Sequence, residues 1–181
     1  MRIQLLPLAL AAVTAAAAHA KPAALSPYAA FKADFLKQAD DVEKKLTDLV
    51  EATPQDKLAY KPDAVTRTFA EVFLHVAGAN YFFGGFFGFK PPDSFTKDYE
   101  KSTTDKAKIA AELKASFAWL KENVSKLSDG ELRKTVKFFG NDRAKSSLLF
   151  FAANHMHEHL GQAIAYARAN GVTPPWSKGK E

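Results

Sequence analysis

Cysteine is absent from all 181 residues of this sequence. Without cysteine the chain cannot form a disulfide, attack through a thiolate, attach haem through a CxxCH motif or bind zinc through sulfur. A lipid-anchored lipoprotein is also excluded, because acylation after signal cleavage requires a cysteine. Any metal chemistry must therefore rest on His, Asp and Glu side chains.

The sequence also lacks a strong charge imbalance. Its 25 basic and 20 acidic residues are interleaved along the chain, as in residues 40–45. This pattern is typical of solvated helix faces and not of a nucleic-acid-binding surface, so we expect no nucleic-acid partner. With 47% hydrophobic and 25% charged residues, the composition predicts one folded domain with a sizeable core.

The first twenty residues have the pattern of a signal peptide. Arg2 gives a positive start, residues 3–18 are almost entirely apolar, and Ala18-His19-Ala20 is a small-x-small cleavage site. The apolar run is shorter than the roughly 20 residues that a membrane-spanning helix needs, which makes a retained anchor the less favoured alternative.

We therefore expect a signal peptide at 1–20, a single domain at 21–181 and no stable membrane insertion. Loss of Arg2 with the leader would lower the net charge from +5 by one, to +4. The predicted location is the periplasm or the exterior of a bacterium.

Four segments place apolar residues at steps of three and four, which predicts four amphipathic helices. They run from Tyr28 to about Leu49, from Thr68 to a frayed end near Gly84-Gly85, from just after Thr103-Thr104 to a stop at Ser128-Asp129-Gly130, and from about Ser146 to Asn170. Residues 134–139 are predicted to form a short extended piece. Since there is no strong strand pattern and no internal repeat, we expect an all-α protein with a four-helix bundle.

Local signals support these helix ends. Ser26-Pro27 is an N-cap followed by proline at the first helical position. Thr68 and Glu71 have the spacing of a capping box, and Gly171 is a natural residue to end the last helix.

Four of the five histidines lie after the leader, and three of these fall within five residues, at His155, His157 and His159. Because each helical residue advances by about 100°, His155 and His159 share an inward face and His157 points away from it. Two imidazoles at i and i+4 can converge on one divalent ion. The second helix offers a third ligand, His75, at the border of its apolar stripe. Each histidine alone is more often a hydrogen-bonded core residue, but three with an open position are typical of a reactive metal centre.

A family resemblance extends this interpretation. The run His155-Met156-His157-Glu158-His159-Leu160-Gly161-Gln162, followed by Tyr166, Arg168, Gly171 and Pro174-Pro175, resembles the last helix of DinB-like (DinB/YfiT-like) proteins. Tyr60-Lys61-Pro62 is similar to the family's aromatic-x-Pro motif before the second helix, and His75 corresponds to its single histidine there. The resemblance covers nearly all of the chain after the leader. It implies a four-helix bundle with an unusual helix order, in which His75, His155 and His159 hold a divalent ion, most commonly zinc or nickel.

The sequence departs from the family pattern in two places. Thr66-Arg67-Thr68 stands where a serine often precedes the second helix, and the segment from Tyr81 to Phe89 is unusually dense in aromatic residues. For this aromatic cluster we favour ordinary packing at the helix end. A homodimer interface and the apolar wall of a substrate site are the alternatives.

Three functions are compatible with such a site. The resemblance implies metal-activated thiolate chemistry, because the best-understood family members are transferases and isomerases that use low-molecular-weight thiols. An exported protein meets little reduced thiol, which favours a hydrolase in which the ion activates water for attack on a small-molecule substrate. The third function is a non-catalytic metal- or ligand-binding bundle, in which a fourth protein ligand closes the site. Asp93 and Glu71 are only conceivable fourth ligands, so we lean towards an open, catalytic centre.

Two further residues are candidates to assist the triad. Gln162, one turn after His159, could orient a ligand or the nucleophile. Glu158 could assist proton transfer, although a solvated charge is the simpler interpretation of this residue. Gly161 is expected to permit close helix packing.

Overall fold

The computed structural model describes residues 25–179, so the predicted signal peptide at 1–20 lies outside the described residues. In chain order the elements are α1 (Pro27–Ala52), α2 (Phe69–Phe87), α3 (Lys106–Ser125), a short α4 (Asp129–Arg133), the strands β1 (Thr135–Phe138) and β2 (Asn141–Ala144), and α5 (Lys145–Ala169). Single 3-10 turns lie at Gln55–Ala59, Tyr99–Lys101 and Pro175–Ser177. Within 25–179, none of the helices combines the length and the hydrophobicity that a bilayer crossing requires.

The four long helices pack as a bundle around one core. Helix α1 packs against α3 and α5, and α2 packs against the same two helices. Consecutive helices α1 and α2 therefore lie at opposite corners of the bundle. The predicted seam of α3 is buried throughout, from Ile109 through Phe117 to Val124. These features confirm the predicted four-helix bundle.

The predicted helix starts are also confirmed. The Ser26 hydroxyl accepts a hydrogen bond from the backbone N–H of Ala29 at 3.0 Å. At the start of α2, the Thr68 hydroxyl accepts from the N–H of Glu71 at 3.2 Å, while the Glu71 carboxylate accepts from the N–H of Thr68 at 2.7 Å. This capping box fixes the first turn of α2 and therefore the position of His75 two turns later.

Two predicted helix ends are wrong. Helix α2 does not fray at Gly84-Gly85 but continues to Phe87 and ends at Gly88, whose φ is +96°. Gly84 is buried, and a Cβ there would overlap the indole ring of Trp119 on α3. Glycine therefore serves close packing at this position, and that packing holds the helix together beyond it.

Helix α3, for its part, ends at Ser125, before the predicted stop at Ser128. Ser128 instead caps α4, since its hydroxyl accepts from the N–H of Glu131 at 3.2 Å. A second capping site so close to the end of α3 competes with its continuation.

The predicted extended piece forms one strand of a hairpin. Strands β1 and β2 pair antiparallel, with Phe138 opposite Asn141, so the loop contains only Phe139 and Gly140. Both loop residues have positive φ, +45° and +79°, as in the type I′ turn that two-residue hairpins favour. The hairpin leads into α5, whose first residue Lys145 donates from its buried ammonium to the Phe87 carbonyl at 2.9 Å. This hydrogen bond ties the start of α5 to the end of α2.

Candidate metal centre

The structure brings together the three histidines that the sequence singled out. His75 lies on α2, and His155 and His159 lie one turn apart on α5. The Nε2 atoms of His75 and His155 are 3.0 Å apart, and one ring nitrogen of each histidine lies within 4.8 Å of the other two. Imidazole nitrogens that share an ion at about 2.0–2.1 Å lie roughly 3–3.5 Å from one another. The three rings are therefore already close to the spacing of metal ligands.

The neighbouring histidine is excluded from this group, as helical geometry predicts. His157 is exposed, and its Nδ1 lies 2.9 Å from the backbone oxygen of Ala153 on its own helix. His159, in contrast, is buried with 8% of its surface exposed. The 100° advance per residue thus separates ligand candidates from a solvent-facing residue within one helical turn.

Glu100 and Arg67 hold the His75 ring. The Glu100 carboxylate lies 2.6 Å from Nδ1 of His75 and accepts a hydrogen bond from its N–H group. The other carboxylate oxygen accepts a hydrogen bond from Nε of Arg67 at 2.7 Å. Because Nδ1 carries the proton, the lone pair of His75 Nε2 is directed towards the other two histidines.

A second set of hydrogen bonds holds His159. Its Nδ1 donates to Oε1 of Gln162 at 2.8 Å, and Nε2 of Gln162 donates to the Tyr166 hydroxyl at 3.2 Å. The Tyr166 hydroxyl donates in turn to the backbone carbonyl of Arg67 at 3.4 Å. The Tyr60 ring packs edge-on against Tyr166, with 5.4 Å between centroids. Each donor in this series of hydrogen bonds meets one acceptor. Because Nδ1 of His159 carries the proton, its Nε2 lone pair is directed towards the other two histidines.

The arrangement fits a metal ion better than it fits a hydrogen-bonded core. In neutral imidazoles whose Nδ1 atoms are protonated, the inward Nε2 atoms of His75 and His159 are both acceptors. In a purely structural cluster, the Nε2–H group of His155 can donate to only one of these two acceptors, whereas a shared divalent ion accepts one lone pair from each of the three rings.

The electrostatics of the site favour neutral rings. Burial lowers the pKa of His155 to about 4, and the adjacent His159 and His75 contribute to this shift. Burial also lowers the pKa of His75, against the opposing effect of Glu100. For Glu100, burial raises the pKa, but the hydrogen bonds from Arg67 and His75 outweigh it and leave the pKa lowered. At neutral pH the rings of His75 and His155 are thus neutral, as ligation requires, and Glu100 is anionic.

A cavity of about 440 Å³ opens onto His75 and His155. Its walls are mainly aromatic and are formed by Phe82, Phe83, Phe95, Tyr99 and Phe139. Gly78 lies in the α2 wall, where a Cβ would come within 3.2 Å of the Tyr99 ring. Glu100 also lines a second, polar cleft of about 640 Å³, whose other lining residues include the charged Lys61 and Arg67.

The aromatic cluster from Tyr81 to Phe89 divides between packing and this cavity. Tyr81 and Phe87 are buried in the core, whereas Phe82 and Phe83 line the cavity. The Phe83 ring also packs edge-on against His155, with 5.7 Å between centroids. The cluster therefore contributes both to helix packing and to the wall of this cavity, and Phe83 takes part in each.

The other acidic residues considered as ligands or proton carriers do not belong to the histidine group. Glu158 is exposed, and Glu71 is engaged in the capping box of α2. Asp93 is exposed and pairs with Lys90 at 3.2 Å. Gly161 is exposed with open space around it, so the expectation that it permits close helix packing is wrong. Within 25–179, no carboxylate joins the histidine group.

Glu100 and Arg67 are the site residues that sequence reasoning missed. Glu100 belongs to an isolated 3-10 turn, where no periodicity predicts its direction. Arg67 lies in the segment that departs from the family pattern, directly before the N-cap of α2. That departure from the family pattern is the one feature of the sequence that could have indicated a role for Arg67. The sequence contains no comparable feature for Glu100.

Comparison with known proteins agrees with this architecture. A DinB-like protein from Bacillus cereus superposes with a TM-score of 0.69 at 21% identity, covering 78% of this chain and 93% of that chain. The DinB-like protein YjoA from Bacillus subtilis superposes with a TM-score of 0.62 at 18% identity, covering 77% of this chain and 93% of that one.

YfiT from Bacillus subtilis, described as a probable metal-dependent hydrolase with an unusual four-helix bundle topology, superposes with a TM-score of 0.61. It is 18% identical, and the match covers 84% of this chain and 94% of YfiT. A comparison with curated proteins gave no match. The sequence model of the DinB family matches residues 28–180, which confirms the resemblance drawn from the last helix. This chain therefore belongs to the DinB family.

Proposed function

We propose that this protein is a metal-dependent hydrolase in which His75, His155 and His159 bind one divalent ion. The main support is the convergence of three imidazole nitrogens, two of whose rings line a cavity large enough for a small molecule. The description of YfiT, which shares the fold, as a probable metal-dependent hydrolase is in accord with this. Imidazole ligands suit zinc and nickel among the divalent ions.

A divalent ion at this position would polarise a substrate carbonyl or phosphoryl oxygen and lower the pKa of a nucleophile. The protein's own contribution is orientation. Glu100 and Arg67 fix the ring of His75, and Gln162 and Tyr166 fix that of His159. Such outer hydrogen bonds hold metal-binding histidines in one tautomer and one direction.

An open site supports catalysis over simple metal storage. Three protein ligands leave at least one position free on an ion that prefers four or more. No carboxylate among residues 25–179 closes the group, and His75 and His155 both line the cavity, so a free position on a bound ion would be open to it. A substrate entering the cavity can therefore reach this position.

Elemental analysis tests the metal site. Protein purified without added metal should contain about one divalent ion per chain, and a His155→Ala, His159→Ala double variant should contain none. A His157→Ala variant is the matched control on the same helix and should retain the ion, since His157 is exposed. An ion-free parent, or a double variant that keeps its ion, would contradict the proposal.

Activity assays separate the candidate functions. We expect hydrolysis of nitrophenyl esters that stops with a chelator and returns with zinc or nickel, in the parent and in His157→Ala. A rate that depends on added low-molecular-weight thiol would instead indicate a transferase. A fully loaded protein that turns over no ester would indicate the non-catalytic, metal- or ligand-binding bundle.

We also propose that the protein is exported, on the basis of the leader pattern in residues 1–20. Expression of the full chain in a Gram-negative host should yield periplasmic protein that begins near Lys21. N-terminal sequencing checks this, and a cytoplasmic product that retains Met1 would contradict it.

A further inference from the structure

Phe139 adopts a backbone conformation that phenylalanine rarely occupies. Its φ is +45°, and it is the only non-glycine residue among those described with a positive φ. A two-residue hairpin loop with positive φ at both positions favours Asn-Gly or Asp-Gly, because a short polar side chain tolerates the left-handed region. The hairpin alone therefore gives no reason for an aromatic residue at this position.

Burial does not explain Phe139 either. Its side chain is 77% exposed, whereas the adjacent Phe138 is 8% exposed and packs in the core. An exposed aromatic ring in a strained conformation contributes little to folding. Residues retained under such conditions are concentrated at ligand-binding sites.

Phe139 lies at the cavity that opens onto the histidines. Its ring is 6.2 Å from that of Phe82, which belongs to the α2 wall and is 40% exposed. Phe82 contacts Phe83, and Phe83 packs edge-on against His155. An aromatic surface therefore continues from the exposed tip of the hairpin to a candidate metal ligand.

The segment after α2 adds further aromatic rings to the cavity. Phe95 and Tyr99 pack against each other at 5.6 Å between ring centroids and line the same cavity. The Tyr99 hydroxyl donates to Glu112 at 2.6 Å, so it is already satisfied and presents only its ring. The polar side chains that line the cavity include His75 and His155 of the candidate metal centre and their neighbour Glu100. Thr96 and Lys97 also line it and are exposed to solvent.

We propose that this cavity binds a substrate with an aromatic or bulky aliphatic group beside its reacting carbonyl, and that Phe139 determines this specificity by packing against that group. The inference rests on the proposed function, since the polar head of the substrate must reach the three histidines. The cavity volume of about 440 Å³ lies within the range of small-molecule sites. Among the aromatic rings of the described residues, the ring of Phe139 packs only against Phe138 and Phe82 and leaves 77% of the residue exposed, so a ligand in the cavity would cover it.

Two hydroxamates test the substrate class. Acetohydroxamate and benzohydroxamate share a metal-binding head and differ in their apolar group. Their affinities are measured from the visible spectrum of the cobalt-substituted protein and by calorimetry. We expect benzohydroxamate to bind about tenfold more tightly, because its ring is buried against aromatic walls.

The Phe139→Asn variant tests the residue itself. Asparagine suits the turn, so this variant should be at least as thermally stable as the parent, with unchanged cobalt content and unchanged affinity for acetohydroxamate. We expect it to lose most of the preference for benzohydroxamate. Phe150→Ala is the matched control, because Phe150 is an exposed phenylalanine on α5 that does not line this cavity; its preference should equal that of the parent.

The outcomes distinguish this inference from the proposed metal site. If neither hydroxamate changes the cobalt spectrum of the parent, the metal site itself is wrong. If both change it with equal affinity, the metal site stands and the proposed substrate class is overturned. If Phe139→Asn keeps the full preference for benzohydroxamate, Phe139 is not the specificity determinant.

Discussion

Nδ1 of His75 lies 2.6 Å from Oε1 of Glu100, although the end of α2 and a proline-containing loop separate the two residues in sequence. The Arg67 side chain donates a hydrogen bond to the second oxygen of this carboxylate. The backbone carbonyl of Arg67 accepts a hydrogen bond from the Tyr166 hydroxyl at 3.4 Å. The residue that precedes the N-cap of α2 therefore supports His75 through its side chain. Through its backbone carbonyl it supports the series of hydrogen bonds from Tyr166 through Gln162 to His159.

Removal of the Glu100 carboxylate should weaken metal binding. In Glu100→Ala, Nδ1 of His75 loses its acceptor, so the ring is free to rotate and to change tautomer. Loss of such an outer partner typically lowers metal affinity by about 10- to 100-fold. Competition with a chromogenic chelator at pH 7.5 measures the change.

Glu158→Ala is the matched control for this prediction, because Glu158 is an exposed carboxylate on α5, one residue from His159. Its metal affinity should equal that of the parent. Glu100→Gln, which keeps an acceptor oxygen without the charge, should fall between the two. Equal affinities in Glu100→Ala and Glu158→Ala would show that Glu100 does not position His75.

Most of the fold was predictable because its signals are local. The Ser26 cap, the Thr68–Glu71 capping box and the seam of α3 each depend on residues within one or two helical turns. The true end of α2 was not predictable, because it depends on a contact between helices. In the sequence, Gly84 indicates a weak point of the helix, whereas in the structure it allows the Trp119 ring of α3 to pack closely against α2.

The two adjacent glycines of α2 should respond in opposite ways to alanine. In Gly84→Ala the added Cβ overlaps the Trp119 ring, and such overpacking costs about 1–3 kcal/mol in the free energy of unfolding. Gly85 is exposed with nothing near its Cβ position, so Gly85→Ala should raise this free energy by about 0.5–1 kcal/mol. Urea unfolding of both metal-free variants measures the difference, and a Gly84→Ala protein as stable as Gly85→Ala would refute the packing role of Gly84.

Within the candidate site, the residues that could be predicted are those whose positions follow from the periodicity of a helix. The one-turn spacing of His155 and His159 fixes their common face, and the same rule excludes His157. Glu100 escaped prediction because its direction depends on how the loop after α2 folds back against that helix, and no short-range pattern encodes this. Gln162 was a candidate because it lies one turn beyond His159, within reach of the same rule.

Replacement of Gln162 should weaken metal binding through His159. Gln162→Leu leaves Nδ1 of His159 without its acceptor at 2.8 Å, and we expect metal affinity to fall by about tenfold. Gln162→Glu keeps an acceptor at this position and should retain most of the affinity. Tyr166→Phe acts one step further from the ring and should have a smaller effect than Gln162→Leu. The same chelator competition measures all three, and an unaltered affinity in Gln162→Leu would exclude this role.

The metal-free protein should lose stability as the pH falls from about 6.5 to about 4. Burial and the neighbouring histidines lower the pKa of His155 from 6.5 to about 4 in the folded state. In this window the unfolded chain binds a proton at His155 that the folded protein does not, so protonation favours unfolding. Above pH 6.5 His155 is neutral in both states and contributes no pH dependence. His75, whose pKa is also lowered, acts in the same direction.

Urea unfolding of chelator-treated protein between pH 7.5 and 4.5 measures this effect, which should be on the order of 2 kcal/mol for His155. His155→Gln removes the titrating group and should show a shallower slope than the parent. His157→Gln is the control, because it deletes an exposed histidine of the same helix and should keep the parental slope. Parallel slopes in His155→Gln and the parent would mean that the buried ring does not remain neutral. In that case the protonation state assumed for metal binding would also be wrong.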